Sequence, residues 1–95
     1  MQRIERTPAA EEDAQSIWRH IAKDNPDAAT SLLFKIEERL ISLAAMPLSA
    51  AAVPQIARDV RRSSVGNYVV YYKALADGIL VLRILHGARQ PEDLL

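Results

Sequence analysis

Two rhythms of apolar residues divide this chain. From about Pro8 to Lys23 the positions Ala10, Ala14, Ile17, Trp18, Ile21 and Ala22 recur at the i, i+4, i+7, i+8 spacing of one buried helix face. Thr7 is a good N-cap, and Pro8 suits the first helical position because its missing N–H would be unpaired there anyway. Glu11, Glu12 and Asp13 complement the positive end of the helix dipole. Asp24-Asn25-Pro26-Asp27 is a second start signal with Asn25 as its cap. The helix that follows places Ala29, Leu32, Leu33, Ile36, Leu40, Leu43 and Ala44 on one stripe, mostly opposite Lys35, Glu37, Glu38 and Arg39, and ends near Met46-Pro47. So short a linker forces the two helices into an antiparallel hairpin.

The rest of the chain reads in period two. Residues 2–6 alternate weakly and predict a first strand with Ile4 inward. Residues 48–57 are alanine-rich, broken by Pro54 and without periodicity, which predicts a loop, a helical turn being the alternative. Strands are expected over about Val60 to Val65, Tyr68 to Leu75 and Ile79 to His86, joined by two-residue turns at Gly66-Asn67 and Asp77-Gly78. The predicted order is β-α-α-β-β-β, an α+β fold with a helical hairpin packed on one face of a small, mainly antiparallel sheet.

Composition narrows the class. Ninety-five residues make a single domain, 1–95, able to bury roughly 60 to 65% of its unfolded surface. The absence of cysteine excludes disulfides and thiolate metal sites, and two distant histidines do not suggest a zinc pair; no cofactor is implied. A charged N-terminus and apolar runs far short of the ~20 residues of a membrane helix predict a cytoplasmic protein with no membrane partner. Zero net charge argues against a protein that coats nucleic acid. The charge is uneven, however: residues 1–50 carry six Lys/Arg against eight Asp/Glu, and residues 51–95 carry six against four. The basic residues Arg58, Arg61, Arg62, Arg83 and Arg89 all fall in or beside the sheet-forming segment.

The last predicted strand ends in the polar cluster Arg83, His86 and Arg89. Strict alternation puts Ile79, Val81, Arg83 and Leu85 on one face and Leu80, Leu82, Ile84 and His86 on the other. A strand apolar on both faces is either central or covered by a partner. Arg83 has two readings, a guanidinium paired with a carboxylate or carbonyls, and a recognition residue. RNA cleavage through a 2′-hydroxyl needs a base, a cation at the phosphate and an acid for the leaving oxygen. Arg62, His86 and Arg89 could fill parts of that set, while Tyr68, Tyr71 and Tyr72 read as packing residues; a complete set is not visible.

The segments IWRHIAKDNPDAA, IEERLISLAAMP, YVVYYK and VLRILHGAR, in that order and over nearly the whole chain, resemble the ParE branch of the RelE/ParE toxin superfamily. The resemblance implies a toxin of a type II toxin–antitoxin pair, neutralised by a ParD-like antitoxin and inhibiting DNA gyrase by binding rather than by catalysis. The alternatives are a RelE-like ribosome-dependent mRNA endoribonuclease and a degenerate toxin that binds only its antitoxin. RelE-type ribonucleases carry an arginine near the start of the third strand where this chain has Val69, and a C-terminal tyrosine where it ends in QPEDLL. Arg61, Arg62, Arg83, His86 and Arg89 are the candidate target surface, and no sequence-specific nucleic-acid binding by the toxin alone is expected. Two helices can cover only one sheet face, so the other is expected to be a groove for an amphipathic antitoxin helix, with a sheet edge open to an added strand. Trp18, Arg58, Arg61, Tyr72 and Arg83 are the candidate antitoxin contacts, Trp18 having plain core as its other reading.

Overall fold

The computed structural model describes residues 2–89. A short strand β1 (Arg3–Arg6) leads into helix α1 (Pro8–Ala22), helix α2 (Pro26–Ala45), a two-residue strand β2 (Ala51–Ala52), and the strands β3 (Val60–Val65), β4 (Tyr68–Leu75) and β5 (Gly78–His86). They form one sheet in the order β1-β5-β4-β3-β2, in which β1 runs parallel to β5 and every other pair is antiparallel. The expected α+β architecture is present, with a further strand: residues 51–52 lie in the segment expected to be loop, pairing with Arg62 and Arg61 of β3. Two residues are too few to show a period.

Both helix starts follow their local chemistry. Thr7 Oγ1 accepts the Ala10 N–H (3.0 Å) and Asn25 Oδ1 accepts the Ala28 N–H (3.0 Å), each satisfying one of the donors that a helix N-terminus leaves unpaired. Between the helices and the sheet lies the main core, with Ile17, Ile36, Leu40, Leu43, Val70, Tyr72, Ile79, Val81 and Ile84 among its buried members.

The two hairpins are built differently. Val65 pairs with Tyr68 across Gly66-Asn67, and Gly66 alone takes a positive φ, 58°. Leu75 pairs with Gly78, so the second loop is Ala76-Asp77 and Gly78 already belongs to β5. The glycine expected as a turn residue has another purpose. A Cβ at Gly78 would lie 1.8 Å from the Arg3 carbonyl oxygen, so its bare backbone lets β1 approach and pair in parallel.

The far face of the sheet is not open. Val53, Val60, Val69, Tyr71 and Leu85 form a second buried cluster, against which Ile56, Ala57 and Leu82 pack. The turn at 53–57 folds beneath the sheet, held by Val53 N–H to Val60 O (2.8 Å) and Ile56 N–H to Val53 O (2.9 Å). The aperiodic segment thus supplies the cover that had been expected from a partner.

Candidate functional site

Strict alternation fails in β5. Tyr71 pairs with Arg83 and Tyr72 with Val81, which leaves Leu82 as the extra residue of a β-bulge. Ile84 therefore joins Ile79 and Val81 on the helix side, and Leu82 and Leu85 face the second cluster. His86 is paired with Tyr68 and Arg83 with Tyr71, so the two remain on opposite faces, each reversed from the expected assignment.

The bulge lies where β1 has ended and β5 has no strand beside it. Thr7, the cap of α1, and Asp13 within the helix take that place. Thr7 Oγ1 donates to the Leu82 carbonyl (2.7 Å), and the Thr7 N–H donates to the Val81 carbonyl (3.0 Å). Asp13 Oδ2 accepts the Ile84 N–H (2.9 Å). The same carboxylate takes Arg83 Nε (2.7 Å) on Oδ2 and Nη2 (2.8 Å) on Oδ1. With the Arg83 and Asp13 side chains only 19% and 12% exposed, this is a largely dry, two-pronged pair. Its hydrogen bond holds the Arg83 guanidinium above the ordinary arginine range, against the opposing effect of burial.

The opposite side of the sheet is covered in part. Arg39 of α2 donates to Ser63 Oγ (2.6 Å) and to the Ser64 carbonyl (2.8 Å), and β2 pairs with the start of β3. Beyond the end of β1, the edge of β5 is thus met by Thr7 and Asp13, while β2 pairs with only Arg61 and Arg62 of β3. Of the sheet edges expected to accept an added strand, the 60–65 strand already carries β2 at Arg61 and Arg62.

What stays open is the helical hairpin. A groove of about 390 Å³ runs between α1 and α2, lined by Ala10, Ala14, Trp18, Leu33, Phe34 and Ile84, with Arg6 and Glu37 also on its wall. Phe34 is 66% exposed and Trp18 38%, and Trp18 Nε1 reaches Thr30 Oγ1 at 3.4 Å. Arg6 and Glu37 form a two-pronged pair (2.6 and 2.8 Å). That hydrogen bond raises the Arg6 pKa, partly offset by burial. Phe34 was missed by the sequence reading because it lies outside the apolar stripe of α2, as does Ile41, 61% exposed. The signal was present all the same: a large apolar residue on the polar side of an amphipathic helix has no core to enter.

The other candidates scatter. Tyr72 is fully buried, its hydroxyl donating to the Pro47 carbonyl (2.8 Å), so it cannot contact an antitoxin as expected; burial pushes its phenol pKa up. Arg61 is half-buried and donates to the Ala50 carbonyl (2.7 Å), tying down the chain after α2. Arg58 is exposed and, with Arg61 and Lys73, rims a hollow of about 480 Å³ at the β3 end of the sheet. Arg62 is exposed on the face opposite His86. His86 is exposed, its ring edge-on to Tyr68 at 5.4 Å, and its Nδ1 accepts the Ala88 N–H (3.1 Å). Arg89 is exposed just beyond it. Among the described residues no three His, Asp or Glu side chains are placed to hold a metal. No helix there is long and apolar enough to cross a membrane. The terminal QPEDLL lies outside the described residues.

The sequence profile described as the ParE toxin of the type II toxin–antitoxin system parDE matches residues 4–91, almost the full chain. The chain belongs to the ParE toxin family. By sequence comparison, no curated protein matches this ParE-family chain. Among solved structures, a chain from the chromosomal ParDE toxin–antitoxin system of P. aeruginosa superposes with a TM-score of 0.75 at 21% identity, covering 90% of this chain and 96% of that one. At that identity the likeness is one of fold. The type II toxin reading rests on the family match, and the βααββββ fold is shared with a structure from a toxin–antitoxin system.

Proposed function

We propose that this ParE-family toxin arrests growth by binding DNA gyrase, without catalysis, and that a ParD-like antitoxin neutralises it by laying an amphipathic helix in the groove between α1 and α2. The observation that carries the antitoxin reading is the groove itself. It is walled by apolar side chains, rimmed by the exposed Trp18 and Phe34, and lies on a member of a family defined by its toxin–antitoxin pairing. An apolar stripe spaced i, i+3, i+4, i+7 fits such a groove. The apolar lining of the groove, together with β2 already paired on β3, favours the helical mode over strand addition there.

Dispersal of the polar residues supports action by binding. Arg62 and His86 sit on opposite sheet faces, Arg83 is held by Asp13, and the Tyr72 hydroxyl is spent on a backbone carbonyl. The exposed Arg58, Arg62 and Arg89 are the cations left to meet gyrase. Inducing the chain alone and measuring both gyrase-dependent DNA breaks and mRNA cleavage tests this reading. Breaks without cleavage are expected; cleavage without breaks would establish the ribonuclease alternative, and neither would establish a toxin that has lost its target.

A further inference from the structure

Asp13 joins two surfaces that the fold otherwise keeps apart. Ala10 and Ala14, on either side of it along α1, line the groove, and so does the Ile84 side chain. The Ile84 amide is bound by the Asp13 carboxylate, and Arg83 beside it is gripped by both carboxylate oxygens. Two residues further on, His86 meets Tyr68, and the Gly87 N–H donates to the Asn67 carbonyl (2.8 Å) as the chain turns toward Arg89. A group held in that groove would therefore touch residues beside both ends of one attachment, the helix that carries Asp13 and the strand that Asp13 holds.

The structure shows that attachment engaged; its release is the alternative that coupling requires. Engaged, it satisfies the Ile84 N–H on an edge with no strand neighbour. Released, it leaves that N–H to water and frees the bulged strand to change its twist. A ligand that favours one arrangement shifts the equilibrium between them. The geometry points to Asp13 as a coupling residue: occupation of the groove between α1 and α2 repositions the tip of β5, His86 to Arg89, through the Asp13 grip on Arg83 and Ile84. The coupling stands on these contacts alone. Only its use, an antitoxin controlling the arginine-bearing tip from a distance, rests on the proposed function.

The amphiphilic anionic dye 1-anilinonaphthalene-8-sulfonate serves as a groove probe that needs no antitoxin, followed through Trp18, the single tryptophan of the chain. Amide spectra are recorded at saturation. The amides of Gly87, Ala88 and Arg89 are expected to shift together with that of Ile84. In Asp13→Ala those tip shifts should shrink at least fivefold while the dye affinity stays within twofold. Arg83→Gln leaves the carboxylate on the Ile84 amide and carries the same measurement if Asp13→Ala fails to fold; it should halve the tip shifts or better. Phe34→Ala should weaken the dye at least tenfold. Tip amides that do not move in the wild type, tip shifts unchanged in both grip variants, or dye binding indifferent to Phe34→Ala would each overturn the coupling, whatever gyrase and antitoxin assays show.

Discussion

Asp13 on α1 and Arg83 on β5 lie 70 positions apart in sequence and meet through two hydrogen bonds of 2.7 and 2.8 Å. The carboxylate also caps the Ile84 amide, so one side chain neutralises an arginine and completes a strand edge. Asp13→Ala removes all three bonds at a site largely shielded from water. It should lower the unfolding free energy by about 3 kcal/mol, and Asp13→Asn, which keeps an acceptor for the amide, by about half of that. Urea unfolding followed by circular dichroism measures both; equal losses would show that the charge contributes nothing.

Trp18 and Phe34 rim the groove and contribute little to the core. Replacing either by alanine should change stability by under about 1 kcal/mol, yet each should weaken a ParD-like antitoxin about 30-fold if it is a hot spot of about 2 kcal/mol. Calorimetric titration of the purified pair provides the number. Unaltered affinity in both variants would place the antitoxin elsewhere.

Gly78 and Gly87 should respond very differently to alanine. At Gly78 the new Cβ would meet backbone at 1.8 Å, whereas at Gly87 the nearest atom is 3.4 Å away. Gly78→Ala must push β1 off β5 and should cost about 4 kcal/mol or abolish folding, while Gly87→Ala should cost about 1 kcal/mol or less. Thermal melts of the two variants, side by side, decide this.

Tyr72 gives the stability a signature in alkali. Burial raises its phenol pKa above the unfolded value, which is about 10. The folded state thus disfavours the phenolate: this contribution is fully present below about pH 10 and is lost as pH rises through the higher folded pKa. Unfolding free energy measured from pH 8 to 11.5 should fall at the alkaline end. Tyr72→Phe should flatten that fall, at a cost of about 1 kcal/mol at neutral pH from the unsatisfied Pro47 carbonyl.

Much of the architecture was legible because its causes are local. Thr7 and Asn25 cap their helices using atoms three residues away, and the apolar stripe of α2 was read from spacing alone. The Gly66 turn is equally local. Other features had no local cause to read. Leu82 looks like any strand leucine until β4 supplies a register that leaves it over, and Gly78 looks like a turn glycine until β1 is laid against it. The candidate site suffered most: Tyr72 was judged by residue type, and Arg83, for which pairing with a carboxylate was one of two readings, had no partner that spacing could name. Their surroundings come from Pro47 and Asp13, at 25 and 70 positions' distance.

Sequence by itself determined the helical hairpin, the antiparallel meander of the last three strands, and the resemblance that the family match later bore out, since periodicity, caps and turn residues act over a few positions. Tertiary structure alone decided which surface stays open. The turn at 53–57 packs on the far sheet face, Thr7 and Asp13 meet β5 beyond the end of β1, and the groove beside Trp18 and Phe34 stays exposed. The reason is physical: an apolar face or an unpaired amide is only a demand, and which segment meets it depends on what the rest of the chain brings within 3 or 4 Å.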